Sequence, residues 1–148
     1  MELMKEFRFE ASHILPKHPG KCSRLHGHSW VLRVYVKGEV NPETGFVMDY
    51  GDIKKVVQPI VDLMDHHHLG TWHSILLPFN SAWGLEAQIY PSSENLLMWI
   101  AEVLTGPKST ASSEVNVLML LPWSRLELNE TCTSAAILTR EEYDALQR

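Results

Sequence analysis

Two long segments near the start of the chain alternate with the two-residue period of a β-strand. In the segment that runs from Lys5 to His13, one face carries Phe7, Phe9, Ala11 and His13. A second alternation places a matching set on one face: His26, His28, Trp30, Leu32, Val34 and Val36. Because an antiparallel sheet commonly buries one face and solvates the other, these segments predict two half-buried strands whose apolar faces end in histidines.

The remaining segments mix strand and helix signals. In chain order they predict a turn over 37–45, a returning strand Phe46–Tyr50, a helix over Ile53–Met64, a long loop Gly70–Pro91, a helix capped by Ser92 or Ser93 that ends at Gly106-Pro107, strands over Glu114–Leu121 and Ser124–Leu138, and a short C-terminal helix behind the capping box of Thr139 and Glu142. Pro59 is expected to kink the first helix or to mark a late start. Strands and helices kept apart favour an α+β fold, an antiparallel sheet with helices on one face.

Length and composition limit the class of protein. A chain of 148 residues predicts one domain over 1–148, and its net charge of −5, with no basic run longer than Lys54-Lys55, argues against a nucleic-acid partner. Its apolar runs are too short to cross a membrane, and no signal peptide is recognisable at the start. The two cysteines, Cys22 and Cys132, are too few for a disulfide framework, so a reducing, cytoplasmic location is expected.

Three histidines on the predicted apolar faces form a candidate metal site. His26 and His28 are two positions apart on one strand, so both imidazoles project from the same face. His13 lies on the matching face of the first strand, and pairing of the two strands brings all three rings together. Three protein ligands with an open fourth position are the usual arrangement of a catalytic zinc ion.

Other polar residues near these strands leave alternatives open. Cys22 precedes His26 by four positions, so it is either a fourth ligand that closes a structural zinc site or a thiol that acts as a base or nucleophile. Asp65-His66 ends the first helix and is either a carboxylate–imidazole pair for proton transfer or part of a solvated helix end. Glu130 continues an apolar face, so it either pairs with a lysine or arginine or accepts two N–H donors from a heterocycle.

Six segments in order resemble the 6-pyruvoyl-tetrahydropterin synthase and 6-carboxy-tetrahydropterin synthase family. They are Phe9-Glu10-Ala11-Ser12-His13, Cys22-Ser23-Arg24-Leu25-His26-Gly27-His28, Gly45-Phe46-Val47-Met48-Asp49-Tyr50, Asp65-His66, Pro91-Ser92-Ser93-Glu94-Asn95 and Glu130-Thr131. The resemblance implies the tunnelling fold, with four antiparallel strands and two helices per subunit. It also implies a homo-oligomer, a trimer or a hexamer, in which the sheets join into a β-barrel and the active sites lie between subunits.

The resemblance assigns roles to individual residues. It implies Zn²⁺ bound by His13, His26 and His28, proton transfer by Cys22, Asp65 and His66, and a pterin pocket that contains Glu94 and Glu130. Three residues separate Cys22 from His26, where the other branch has five, which resembles the 6-carboxy-tetrahydropterin branch.

That branch converts 7,8-dihydroneopterin triphosphate into 6-carboxy-5,6,7,8-tetrahydropterin, with release of acetaldehyde and triphosphate, in queuosine and other 7-deazapurine pathways. The competing expectations are the 6-pyruvoyl-tetrahydropterin synthase activity and a zinc-stabilised pterin-binding oligomer without turnover. Gly70 replaces the asparagine that the family usually has, Ser92 replaces threonine, and the Gly70–Pro91 loop is longer than is typical.

Overall fold

The two alternating segments form adjacent strands at the centre of a sheet. A computed structural model describes residues 1–70, 90–106 and 121–147. In these ranges the elements are β1 (Glu2–His13), a 3₁₀ turn (Lys21–Ser23), β2 (His26–Lys37), α1 (Tyr50–Met64), β3 (His67–His68), α2 (Ser93–Thr105), β4 (Trp123–Thr131), β5 (Ser134–Thr139) and α3 (Arg140–Leu146). The α+β class is confirmed.

The sheet has the strand order β3-β1-β2-β4-β5. Four strands pair antiparallel, β1 with β2, β2 with β4 and β4 with β5, and β3 pairs parallel with β1. The expected purely antiparallel four-stranded sheet with two helices is therefore wrong for the described chain, which has a mixed five-stranded sheet and three helices. The additional strand, His67–His68, is too short to produce any alternation in the sequence.

One face of the sheet and the helices share a single apolar core. Trp30, Leu32 and Val34 from β2 are fully buried there, with Ile53 and Val57 from α1 and several apolar residues of α2. Helix α1 packs against β1, and α2 packs against β4 and β5. The predicted apolar faces are thus the buried ones, and the histidines at their ends lie at the margin of this core.

Two predicted boundaries change. The segment Phe46–Tyr50 is not a strand, because Asp49 caps α1 by accepting from the Gly51 N–H and the helix begins at Tyr50. Pro59 lies inside this helix, so it does not mark a late start. The single strand predicted over Ser124–Leu138 is a hairpin, β4 and β5, which reverses at Cys132 and Thr133.

Two predicted segments fall largely outside the description. The long loop Gly70–Pro91 extends over residues 71–89 and the strand Glu114–Leu121 over residues 114–120, and both ranges lie outside the described residues. The end of α2 at Gly106 is confirmed, with a positive φ of 83° that glycine adopts readily. No helix within the described ranges is long and apolar enough to cross a lipid bilayer.

The C-terminal helix α3 has the predicted capping box. The Thr139 hydroxyl accepts from the Glu142 N–H, and the Glu142 carboxylate accepts from the Thr139 N–H. We expect Thr139→Ala to lower the free energy of unfolding by about 1 kcal/mol, because it leaves a helix N–H without its partner. Chemical denaturation measures this loss. Thr139→Ser is the control that retains the cap, and equal stabilities for the two variants would contradict the prediction.

Candidate functional site

The three predicted histidines meet at one end of β1 and β2. His13 and His26 are paired in the strand register, and His28 pairs with Ala11 two residues further along the strands. The ring centroids are 4.5 Å apart for His13 and His26, 5.1 Å for His13 and His28, and 5.0 Å for His26 and His28. The predicted convergence of three imidazoles is therefore present in the fold.

Backbone carbonyls fix the tautomers of two of these rings. His13 Nδ1 lies 2.7 Å from the Pro91 carbonyl oxygen, and His26 Nδ1 lies 2.7 Å from the Arg24 carbonyl oxygen. A carbonyl only accepts, so each Nδ1 carries the proton and each neutral ring has its lone pair on Nε2. The two Nε2 atoms are 3.0 Å apart. Two lone pairs face each other at this distance, an arrangement that a cation stabilises.

A carboxylate lies next to the same atoms. Glu130 Oε1 is 3.1 Å from His13 Nε2 and 3.3 Å from His28 Nε2. The His28 contact satisfies the distance of an ion pair but not the alignment of a hydrogen bond, so His28 Nε2 is a buried atom without a hydrogen-bond partner in the described chain. The expected alternative in which Glu130 pairs with a lysine or arginine is not observed in the described ranges, because its neighbours are imidazoles.

These four side chains form a donor set that suits a divalent metal ion. One ligand atom from each of His13, His26, His28 and Glu130 lies within 4.8 Å of the other three. Imidazole nitrogens with a carboxylate oxygen are ligands that zinc and neighbouring transition metals accept. Cys22 does not belong to this group, so the described chain does not support the alternative of a fourth thiolate ligand.

Burial lowers the pKa of His13 and His28 below the ordinary histidine value of 6.5, because removal from water disfavours the charged ring, and the Glu130 carboxylate opposes this effect. The unfolded chain then binds protons more readily than the folded one below about pH 6.5.

We expect the metal-free protein to lose thermal stability as the pH falls from about 7.5 to 5.5. Thermal melts of chelator-treated protein measure this, and His28→Gln should reduce the slope. An unchanged slope would contradict the assignment.

One carboxylate oxygen of Asp65 holds the Asp65-His66 pair against β1, and the other contacts the imidazole. Asp65 Oδ1 accepts from the Glu10 N–H at 2.8 Å, and Oδ2 lies 2.9 Å from His66 Nδ1. The Glu10 N–H and then His66 hold the pKa of Asp65 below its ordinary value. The carboxylate therefore orients His66 and leaves its Nε2 available to exchange a proton.

The backbone at His66 has a conformation uncommon for a residue with a side chain. Its φ is 58°, in the left-handed region, and it directly precedes the short strand β3. Backbone bonds to β1 hold it on both sides, from His66 N–H to the Glu10 carbonyl and from Leu69 N–H to the Ser12 carbonyl. Such conformations persist where the surroundings determine them, and they are frequent at functional sites.

A surface groove connects the two groups of residues. Its volume is about 410 Å³, and it is lined by residues from both groups, among them Glu10, Ser29, His28 and His66. We name it the His66 groove. It places the proton-transfer candidate His66 and the metal-ligand candidate His28 on one surface that a small molecule can occupy.

Two predicted site residues lie elsewhere in the described chain. Cys22 is half-buried in the 3₁₀ turn before β2, where its carbonyl accepts from the Leu15 N–H at 2.9 Å. Glu94 is exposed in the first turn of α2, behind the N-cap Ser92. Neither residue lines the His66 groove. Their catalytic and substrate-binding roles stay predictions.

Sequence reasoning missed the groups that orient the site. The carbonyls of Pro91 and Arg24 and the Glu10 N–H are backbone atoms, so residue identity gives no signal for them. It also missed the contact between Ser12 Oγ and His68 Nδ1, at 3.1 Å, because a run of three histidines has no distinctive spacing.

The family model described as 6-pyruvoyl tetrahydropterin synthase matches residues 2–141. A relative from Synechocystis named 6-carboxy-5,6,7,8-tetrahydropterin synthase is 40% identical over 139 residues, which cover 90% of this chain and 89% of the relative. Among solved structures, the 6-pyruvoyl tetrahydropterin synthase of Caenorhabditis elegans gives a TM-score of 0.70 at 22% identity and 94% coverage of each chain. The enzyme of that name from Plasmodium falciparum gives 0.61 at 17% identity, covering 93% of this chain and 96% of the other.

Proposed function

Because the chain belongs to the 6-pyruvoyl tetrahydropterin synthase family, we propose that it is a zinc-dependent lyase, a 6-carboxy-5,6,7,8-tetrahydropterin synthase. Its substrate is 7,8-dihydroneopterin triphosphate, and its products are 6-carboxy-5,6,7,8-tetrahydropterin, acetaldehyde and triphosphate. The observation that supports this most directly is the convergence of three imidazoles whose free nitrogens face one another beside an oriented Asp65-His66 pair.

His13, His26 and His28 hold the zinc ion in this proposal. A bound zinc ion supplies Lewis-acid chemistry, which lowers the pKa of hydroxyl groups and stabilises developing oxyanions. The carbonyls of Pro91 and Arg24 keep the Nδ1 protons of His13 and His26 in place, so the Nε2 atoms stay available as ligands.

His66 exchanges a proton with the substrate side chain from within the groove it lines with His28. Asp65 is a positioning residue that holds the Nδ1 side of His66, and the Glu10 N–H holds Asp65. Cys22, as a thiolate, removes a side-chain proton from the opposite side. Each such acid–base step contributes about 10²–10⁴-fold to the rate.

Glu130 and Glu94 recognise the pterin ring. A carboxylate that accepts two parallel N–H donors distinguishes the amidine-like edge of a pterin from a heterocycle without it. The side chain of Glu130 is 24% exposed, so it is reachable from the surface while it contacts the imidazoles.

The protein works as a homo-oligomer, a trimer or a hexamer, in this proposal. In the described chain β3 covers only Ala11 and Ser12 of the outer edge of β1, so no strand lies on that edge from Glu2 to Glu10, and β5 forms the other edge of the sheet. Pairing of these edges between subunits closes a barrel and satisfies their N–H and C=O groups. It also places the active sites between subunits.

The product distribution separates this function from its closest competitor. Zinc-loaded protein is incubated with 7,8-dihydroneopterin triphosphate, and every product is identified by mass. Acetaldehyde together with 6-carboxy-5,6,7,8-tetrahydropterin supports the proposal and its place in a 7-deazapurine pathway such as queuosine synthesis. Triphosphate release with the carbon chain retained indicates the 6-pyruvoyl activity, and binding without consumption indicates a pterin-binding oligomer.

Cys22→Ala tests the thiol. We expect it to lower turnover by about 10²–10⁴-fold while zinc stays bound, because an acid–base group is lost and the ligand set is not. Zinc content and substrate consumption are the measurements. Cys132→Ala, at the exposed cysteine of the β4–β5 turn, is the matched control. Unchanged turnover in Cys22→Ala rejects the proton-transfer role, and loss of both zinc and fold identifies a closed structural site instead.

A further inference from the structure

A carboxylate oxygen of Glu130 approaches two of the three imidazole nitrogens at distances close to those between neighbouring ligands of one metal ion. Zinc–nitrogen and zinc–oxygen bonds of about 2.0–2.2 Å place neighbouring ligand atoms of a tetrahedron about 3.3–3.6 Å apart. The corresponding distances here are 3.0 Å between His13 and His26 Nε2, 3.1 Å from Glu130 Oε1 to His13 Nε2 and 3.3 Å from it to His28 Nε2. The distance from Glu130 to His28 therefore falls in this range, and the two distances that involve His13 are slightly shorter.

We infer that Glu130 is the fourth ligand of the metal ion in the substrate-free protein and that it leaves the ion when the pterin binds. The inference rests on the proposed function, because it concerns the metal ion and the heterocycle of that function. A permanent carboxylate ligand would close the site, whereas a catalytic site needs a position for its substrate. If Glu130 leaves the ion, the substrate gains a position on the metal. The released carboxylate oxygens can then accept the N–H donors of the ring.

Backbone hydrogen bonds hold His13 and His26 in place, whereas the ion-pair contacts of the Glu130 carboxylate are with imidazoles. Carbonyls of Pro91 and Arg24 hold His13 and His26, and His13 is fully buried. The ion-pair contacts of the Glu130 carboxylate in the described ranges are with the imidazoles alone. Its side chain also lines a second groove of about 570 Å³, together with Ser29, Asn129 and Thr131. In this inference the Glu130 side chain rotates toward this groove, which His28 also lines, and its carboxylate leaves the metal position.

The exchange predicts that substrate binding and metal coordination are coupled. While Glu130 is a ligand, its carboxylate is unavailable to the pterin, and the fourth position is unavailable to the substrate side chain. A pterin that carries hydroxyl groups gains the Glu130 carboxylate and the fourth position of the ion at once. A small polyol without the ring leaves Glu130 in place. The site would therefore open selectively for molecules that present both parts.

The test uses full-length protein loaded with Co²⁺, whose visible absorption reports the ligands of the ion. We expect Glu130→Gln to change this spectrum and to weaken Co²⁺ and Zn²⁺ binding by at least about 10–100-fold, because loss of a direct ligand costs no less than loss of a residue that only supports one. Glu130→Asp, which keeps the charge but is shorter, should also weaken binding while circular dichroism shows a native fold. Glu141→Gln, at an exposed carboxylate of α3, is the matched control. Spectra and affinities that are equal in wild type and Glu130→Gln overturn the inference.

Neopterin, an oxidised pterin with a trihydroxypropyl side chain, tests the exchange. It should change the Co²⁺ spectrum of wild type, whereas glycerol at the same concentration should not. If neopterin binds and the spectrum stays constant, Glu130 does not leave the ion, and the exchange is rejected. Failure of the proposed function has a different signature, which is absence of acetaldehyde from zinc-loaded wild type whatever the Co²⁺ spectra show.

Discussion

His28→Ala is expected to weaken zinc binding by more than about 100-fold and to abolish turnover, because it removes one of three imidazole ligands, a larger change than the loss of a supporting residue. His28 Nε2 is buried without a hydrogen-bond partner in the described ranges, 3.3 Å from Glu130 Oε1. An unpartnered buried nitrogen costs free energy unless an ion uses it. Its side chain is 19% exposed, so its loss leaves a smaller cavity than the loss of the fully buried His13.

The measurements for His28→Ala are zinc content after dialysis and consumption of 7,8-dihydroneopterin triphosphate. His18→Ala provides the control, because His18 lies in the exposed turn after β1, where its ring accepts from the nearby Gly20 N–H. A variant that folds, keeps the zinc content of the wild type and turns over normally would show that His28 is not a ligand of the ion.

His66→Ala is expected to lower kcat by about 10²–10⁴-fold and to leave zinc binding unchanged. The ring is 78% exposed at the surface, and Asp65 Oδ2 holds its Nδ1 at 2.9 Å. Because His66 does not belong to the group of possible metal ligands in the described chain, its removal separates proton transfer from metal binding. The exposed position also limits the expected loss of stability.

Steady-state kinetics, zinc content and a thermal melt together test the His66 prediction. Asp65→Asn distinguishes orientation from direct proton transfer, because it should lower kcat less than His66→Ala while it shifts the pH profile. Turnover of His66→Ala within a few-fold of wild type would assign the acid–base step to another residue. Loss of zinc in the same variant would place His66 in the metal site instead.

Much of the sheet and of the candidate metal site was predictable from alternation alone. A period of two determines which side chains share a face, so His13, His26 and His28 had to project from the apolar face if the segments were strands. The pairing of His13 with His26 then brought them together. The capping box of α3 was predictable for a similar reason, because it depends on side chains three residues apart.

Other features depend on contacts between distant segments, and the sequence pattern was wrong or silent there. The predicted strand Phe46–Tyr50 is displaced by the Asp49 cap, which starts α1 three residues earlier than Ile53. The strand His67–His68 forms where the chain pairs with Ala11 and Ser12 on the edge of β1, a contact between segments far apart in the sequence. One of the two alternatives for Glu130 was a lysine or arginine partner, but the described neighbours of its carboxylate are imidazoles, since the end of β4 lies beside β2.

The sequence by itself determined the α+β class, the family and the identities of three candidate ligands, because periodicity and ordered motifs are local properties of the chain. Only the tertiary structure decided which atoms of those ligands are free. The carbonyls of Pro91 and Arg24 assign the protons of His13 and His26, and the approach of β4 brings Glu130 to the same point. Carbonyls and N–H groups are the same in every residue, so their positions follow from the fold and leave no trace in the sequence.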